Sequence, residues 1–155
     1  MHHVVLVEPE IAWNTGNAGR TCLAAGAQLH LVEPLGFSLS EKQVRRAGLD
    51  YWEHVAPVVH ASLEAFEAAL PALGTPLLLS AEAERTLFET AIPADAVFIF
   101  GKESAGLPPP LRARYRERLV SLPVRDARVR SLNVSTAVGV VLYEALRRYL
   151  GPLRM

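Results

Sequence analysis

The sequence predicts an α/β protein: a mostly parallel β-sheet with helices on both faces. Short apolar runs of strand type alternate with helical patterns from end to end, as repeated βα units do. The strongest of these runs, His3–Val7, Leu77–Ser80 and Ala96–Phe100, read as buried strands. The 155 residues are half hydrophobic, which fits one domain spanning 1–155 with a substantial core.

Taken in order, His3–Val7 is the first strand, and Thr15–Gly26 is a helix that stops at its glycine. Gln28–Val32 is a second strand. Ser40 opens a short helix with a capping box, since Gln43 stands three residues on. His54–Val59 is a weak strand. Ser62–Leu70 is an amphipathic helix carrying Leu63, Phe66 and Leu70 at helical spacing. A short helix around Arg85–Ala91 separates the strands Leu77–Ser80 and Ala96–Phe100. Leu111–Arg118 is helical and Leu119–Leu122 is a strand. The longest helix, Asn133–Leu150, ends in Arg147, Arg148, Gly151 and Pro152, an order suited to a helix C-terminus. Val134, Ala137, Val138, Val141, Leu142, Ala145 and Tyr149 form one apolar stripe on it, and Val140 and Tyr143 widen that stripe. Such a helix is buried on more than one side, either within one subunit or against a second copy in a symmetric homodimer.

Charged residues make up 21 % of a chain with zero formal net charge, which argues against disorder. No apolar run reaches transmembrane length, and MHHVVLVEPE has no secretory pattern, so a cytoplasmic protein without membrane association is expected. The single cysteine, Cys22, rules out an intrachain disulfide and reads as a small buried helix residue. His2, His3, His30, His54 and His60 show no ligand spacing and read as structural or surface residues, so no metal is expected. Trp13 and Trp52 could stack on bases, but packing is the commoner fate of tryptophan. The charge is unevenly spread. Residues 47–111 hold two basic and nine acidic groups, whereas residues 112–130 hold seven arginines against Glu117 and Asp126. Lys42, Arg45 and Arg46 form a smaller cluster. These runs are either a phosphate-binding face or solvated surface.

Three junctions combine special backbone residues with polar side chains. In Asn14–Arg20, NTGNAGR, Asn14 is a good helix cap and Gly16 permits close backbone approach. Its glycine spacing does not match the dinucleotide fingerprint. In Phe98–Pro108, FIFGKESAGLP, a buried strand breaks at Gly101, sets Lys102 and Glu103 beyond the break and turns again at Gly106. A P-loop is excluded, because the earlier glycine is missing and Glu103 stands where Ser or Thr belongs. Glu103 is either a structural carboxylate accepting backbone N–H groups or a group that orients or deprotonates a hydroxyl. In Ser131–Ser135, SLNVS, Ser131 and Asn133 cap the last helix or present polar groups beside the strand ends. Three polar loops at strand-to-helix junctions can converge on one sheet edge, where open α/β sheets bind ligands.

Asn14-Thr15-Gly16-Asn17 with Arg20, then FGKESAGLP, then SLNVSTAVGVVLYEA resemble the three ordered motifs of the SPOUT methyltransferases, most closely the short TrmL/YibK-like group. VLVEPEIAWNTGNAGR and RRAGLDYWEHV also resemble that group, so the likeness covers nearly the whole chain. The resemblance implies an α/β knot fold with a C-terminal trefoil knot over about residues 77–155, and a homodimer. It implies methyl transfer from S-adenosyl-L-methionine to a ribose 2′-hydroxyl of tRNA, at the wobble nucleotide 34 (Cm/Um) of the anticodon stem-loop. Carried over by position, Asn14, Arg20, Glu103, Ser131 and Asn133 are the catalytic set. Leu79, Gly101, Glu103, Gly106, Leu122, Ser131 and Leu132 form the cofactor site. The stretch Leu122–Ser131 is a residue longer than in some relatives and richer in arginine. Methylation of another tRNA or rRNA site, a non-catalytic RNA-binding knotted dimer and a nucleotide-binding oxidoreductase are the competing readings.

Overall fold

The computed structural model describes residues 1–150, apart from the side chains of Gly48 and Leu49; Gly151 and Pro152, expected to close the last helix, lie outside the described residues. Six strands form one sheet: β1 (His3–Val7), β2 (Gln28–Val32), β3 (Val58–His60), β4 (Thr75–Leu79), β5 (Ala96–Phe100) and β6 (Leu119–Val120). Their order is β3-β2-β1-β5-β4-β6, and every pairing is parallel. The helices are α1 (Ala12–Ala25), α2 (Lys42–Gly48), α3 (Trp52–Val55), α4 (Leu63–Leu73), α5 (Pro109–Arg114) and α6 (Val134–Leu150).

Strand alternation divides the core into two layers. Val4, Leu6, Phe98 and Phe100 face Ala18 and Cys22 of α1 and Val138, Val141 and Leu142 of α6. Val5, Val7, Val97 and Ile99 face Phe66 and Leu70 of α4 and Leu111 of α5. Both sheet faces are therefore covered, which explains why β1 and β5 are apolar at nearly every position. Burial pushes the Cys22 thiol up to about 12. No helix among the described residues is long and apolar enough to cross a membrane.

The adjacent strands β1 and β5 send their following helices to opposite faces, α1 to one and α5 to the other. A crevice opens at such a divergence, beyond the carboxyl ends of the strands.

Several element boundaries differ from the sequence expectation. Residues 54 and 55 belong to α3, and the edge strand starts only at Val58. The helix expected from Ser40 starts at Lys42; Ser40 instead donates its amide to the Ser38 hydroxyl, and no Ser40–Gln43 box forms. Arg85–Ala91 contributes one 3-10 turn, Leu87–Glu89, closed by a Thr86/Glu89 capping box. Leu111–Arg118 divides into α5 and a separate 3-10 turn, Arg116–Arg118. In α4, Ser62 is the cap, accepting from the Ala65 amide at 3.1 Å.

The strand register also produces a feature that no spacing reveals. His3, His30 and His60, from β1, β2 and β3, are linked ring to ring: His3 Nδ1 to His30 Nε2 at 2.9 Å, and His30 Nδ1 to His60 Nε2 at 3.0 Å. Burial, with the neighbouring histidines, lowers the His30 pKa to about 4. The unfolded chain therefore binds a proton that the folded chain refuses between the ordinary histidine range, near 6.5, and about 4. This contribution to stability is intact above pH 6.5 and is lost progressively as the pH falls towards 4. Thermal unfolding of His30→Gln against pH is expected to show a shallower decline across that window than the parent chain.

Candidate active site

The crevice holds a cavity of about 500 Å³, within the range of ligand pockets, roughly 300–1,000 Å³. Its walls come from the loops after β4, β5 and β6 and from the first residues of α1 and α6. Leu79, Gly101, Glu103, Gly106, Leu122, Ser131 and Leu132 all line it, as do Asn14 and Asn133. Nine of the ten expected site residues thus meet in one place. Arg20 is the exception. It is exposed on α1, away from the cavity lining, with its guanidinium 5.4 Å from the centre of the Tyr51 ring.

The β5 loop owes its shape to two glycines. A Cβ on Gly101 would stand 2.0 Å from the Gly106 carbonyl carbon and 2.1 Å from the Leu107 nitrogen. Gly106 has φ +71°, and its amide donates to the Lys102 carbonyl at 2.8 Å. The loop folds back on itself so tightly that only glycine fits at its root.

Glu103 is held at the start of α1. Its Oε2 accepts the Glu10 amide at 2.8 Å, and its Oε1 accepts the Ile11 amide at 3.3 Å and Asn14 Nδ2 at 3.2 Å. This corrects the reading of Asn14 as a helix cap. The helix begins at Ala12, Asn14 lies buried within its first turn, and Ile11 at the cap position makes no side-chain bond. A carboxylate from a different loop does the work of a cap, accepting N–H groups and placing negative charge at a helix N-terminus. Glu10 returns the contact, accepting the Ser104 hydroxyl at 2.6 Å and the Ser104 amide at 2.9 Å. Those two bonds hold the Glu10 carboxyl below its usual range.

Asn14 continues the chain of contacts. Asn133 Oδ1 accepts the amides of Ser135 and Thr136 and the Ser135 hydroxyl, so it caps α6. Its Nδ2 must then donate, and it does so to Asn14 Oδ1 at 2.9 Å. Asn14 in turn has only Nδ2 to offer Glu103. One polarised sequence, from α6 through Asn133 and Asn14 to Glu103, fixes three loops relative to one another. Between the two readings of Glu103, the geometry gives it structural partners on both oxygens and no contact with Arg20. Glu10 and Ser104 were not singled out from the sequence, because nothing in their spacing shows that the two loops meet.

The arginine-rich stretch is partly neutralised. Arg112 pairs with Glu82, Arg114 with Glu67 and Arg128 with Asp126. Among the described residues Arg116, Arg118, Arg125 and Arg130 make no ion pair, and Arg130 lines the cavity.

A parallel sheet with a ligand-sized cavity at its carboxyl edge, walled by the loop after β6 and the start of a capped final helix, is the arrangement in which open α/β proteins bind ligands. Residues 1–143 match the model of the SpoU rRNA Methylase family, and the chain belongs to that family. It is similar to the tRNA (cytidine(34)-2′-O)-methyltransferase of Burkholderia pseudomallei (strain 1106a), 45 % identical over 150 residues that make up 96 % of each chain. A solved structure described under the 2-OH methylation of C/U34 on tRNA superposes with a TM-score of 0.90 at 44 % identity, covering 97 % of each chain. An AdoMet-bound rRNA methyltransferase from Sinorhizobium meliloti superposes with a TM-score of 0.84 at 28 % identity, covering 97 % of this chain and 57 % of that one.

Proposed function

We infer that this chain transfers a methyl group from S-adenosyl-L-methionine to the ribose 2′-hydroxyl of nucleotide 34 in tRNA. The observation that carries the reading is the cavity: the residues expected to hold the cofactor line one space beside the Asn133–Asn14–Glu103 network. The close relatives named for that reaction support the nucleotide. The residues also fit the cofactor. The cavity is of suitable size, and the Gly101–Gly106 fold-back presents bare backbone to it.

When bound, the cofactor supplies a sulfonium-activated methyl group. The chain has to place a hydroxyl oxygen in line with that methyl and manage one proton. Transfer to O2′ would leave a neutral thioether on the cofactor side and would release one hydroxyl proton, which a group beside O2′ has to take. Only RNA carries this hydroxyl, so the reaction itself selects RNA over DNA. Arg20 is not that acceptor, because a guanidinium stays protonated. Exposed on α1, it instead grips the phosphate beside the target ribose, and that phosphate helps to take the proton. Asn14, Asn133 and Glu103 hold the loops that shape the reacting end, and Ser131 and Leu132 form its rim. Arg130 at the cavity, the other unpaired arginines of residues 112–130 and the Lys42–Arg46 cluster supply backbone contacts to the anticodon stem-loop.

The trefoil knot expected over about 77–155 belongs to the same reading, as do the single domain and a cytoplasmic location. Two later segments hold the β4–β5 connection: Ser121 bridges to Thr86, while Arg148 and Tyr149 of α6 bind the carbonyls of Leu87, Phe88, Thr90 and Ile92. A homodimer is supported by apolar side chains left open on the packed α1 and α6 helices: Trp13, Val140 and Tyr143. Methyl transfer to tRNA by the purified protein tests the reaction, and silence in that assay would favour a non-catalytic RNA-binding dimer. For the role of Arg20, Arg20→Lys is expected to lower kcat/KM for tRNA by roughly tenfold or more, through loss of the bidentate fork, with cofactor affinity unchanged. Near-normal turnover by Arg20→Lys would show that bidentate phosphate recognition is unnecessary.

A further inference from the structure

At the cavity wall, the β4–β5 connection and α5 are joined by one ion pair among the described residues. Arg112 Nη1 donates to Glu82 Oε2 at 2.8 Å, and both residues line the cavity. The pair is incompletely used. Arg112 Nε is buried and has no partner, an expensive condition for a charged donor. Glu82 engages only one of its oxygens, and its side chain is 81 % exposed against 33 % for Arg112. The other carboxylate lining the cavity, Glu103, has both oxygens taken by the start of α1. Glu82 Oε1 and Arg112 Nη2 make no hydrogen bond among the described residues, so the pair offers a free acceptor and a free donor side by side. That arrangement suits a group bearing an ammonium and a carboxylate on one carbon.

We propose that the Arg112–Glu82 pair is the subsite for the α-amino-acid end of the cofactor, with the carboxylate on the Arg112 guanidinium and the ammonium on Glu82 Oε1. The inference rests on the S-adenosylmethionine reading above. Electrostatics favour a pair over a single charge here. S-adenosylmethionine carries two positive groups and one negative, so an arginine alone would attract the carboxylate and repel the rest, whereas a neutral pair meets each charge with its opposite. Occupation would also tie the β4–β5 connection to α5 through the ligand.

Calorimetric titration of the full chain with S-adenosylhomocysteine and with 5′-methylthioadenosine, which lacks the amino-acid end, tests this. Arg112→Met and Glu82→Gln are each expected to weaken S-adenosylhomocysteine by about tenfold or more, as loss of a charge-assisted bond does, while 5′-methylthioadenosine stays within about twofold of the parent. Unchanged affinity for S-adenosylhomocysteine, or an equal loss for both ligands, would overturn the subsite. Glu82 is exposed enough for Glu82→Gln to keep the fold should Arg112→Met disturb α5. Failure of the parent chain to bind either ligand would sink the cofactor reading itself, and the subsite with it.

Discussion

Replacing Gly101 by alanine is expected to weaken cofactor binding severely. The added methyl would lie 2.0 Å from the Gly106 carbonyl carbon and 2.5 Å from its oxygen, both backbone atoms that no rotamer change can move aside. The fold-back must open, breaking the Lys102–Gly106 bridge and pulling Glu103 and Ser104, two and three residues further on, away from the start of α1. Overpacking of this kind costs about 1–3 kcal/mol in stability. The loss of S-adenosylhomocysteine affinity should be larger, on the order of a hundredfold, because the deformed segment is itself a cavity wall. Calorimetry and thermal unfolding on the same preparation check both quantities. A Gly101→Ala protein that binds as the parent does would show that the tight loop is not what shapes the site.

Substituting Glu103 by glutamine should uncouple the three junctions without changing their bulk. One oxygen becomes an NH₂ group, so a donor faces either the Glu10 amide or the Asn14 and Ile11 donors. The polarity of the Asn133–Asn14 sequence gives no way to absorb this, because Asn133 Oδ1 is committed to the amides of α6. A loss of about 1–2 kcal/mol is expected, comparable to removing a helix cap. Cofactor affinity should fall roughly tenfold as the start of α1 loosens, consistent with preorganisation lost at a site's walls. Glu103→Asp should be nearly as harmful, since a side chain one methylene shorter cannot span 2.8 and 3.2 Å contacts to two loops at once. If Glu103→Gln binds cofactor normally but methylates tRNA poorly, the carboxylate acts on the ribose rather than on the loops.

The sheet was legible because its strands are buried on both faces, so β1, β2, β4 and β5 stand out as apolar runs whatever their neighbours. The edge strand β3 was misplaced for the opposite reason: Val58 and Val59 are exposed, and no burial pattern marks where α3 stops. Local chemistry favours Asn14 as a cap. The real cap, Glu103, comes from 89 residues away in sequence, and only the pairing of β1 with β5 brings the two loops together. The histidine ladder has the same origin, since His3, His30 and His60 meet through strand register alone. The convergence of the three polar junctions was legible, because each lies where a strand hands over to a helix. The position of Arg20 was not, because the motif places it in sequence while the turn of α1 carries it out of the cavity lining.

The most direct test of the central claim is nucleoside mapping of tRNA from cells with and without this protein, followed by remodification of the unmodified tRNA with purified protein and S-adenosylmethionine. A single 2′-O-methyl group, on the ribose of nucleotide 34, is expected to be absent without the protein and restored by it in vitro. Restoration at a different nucleotide, in rRNA only, or nowhere would contradict the claim.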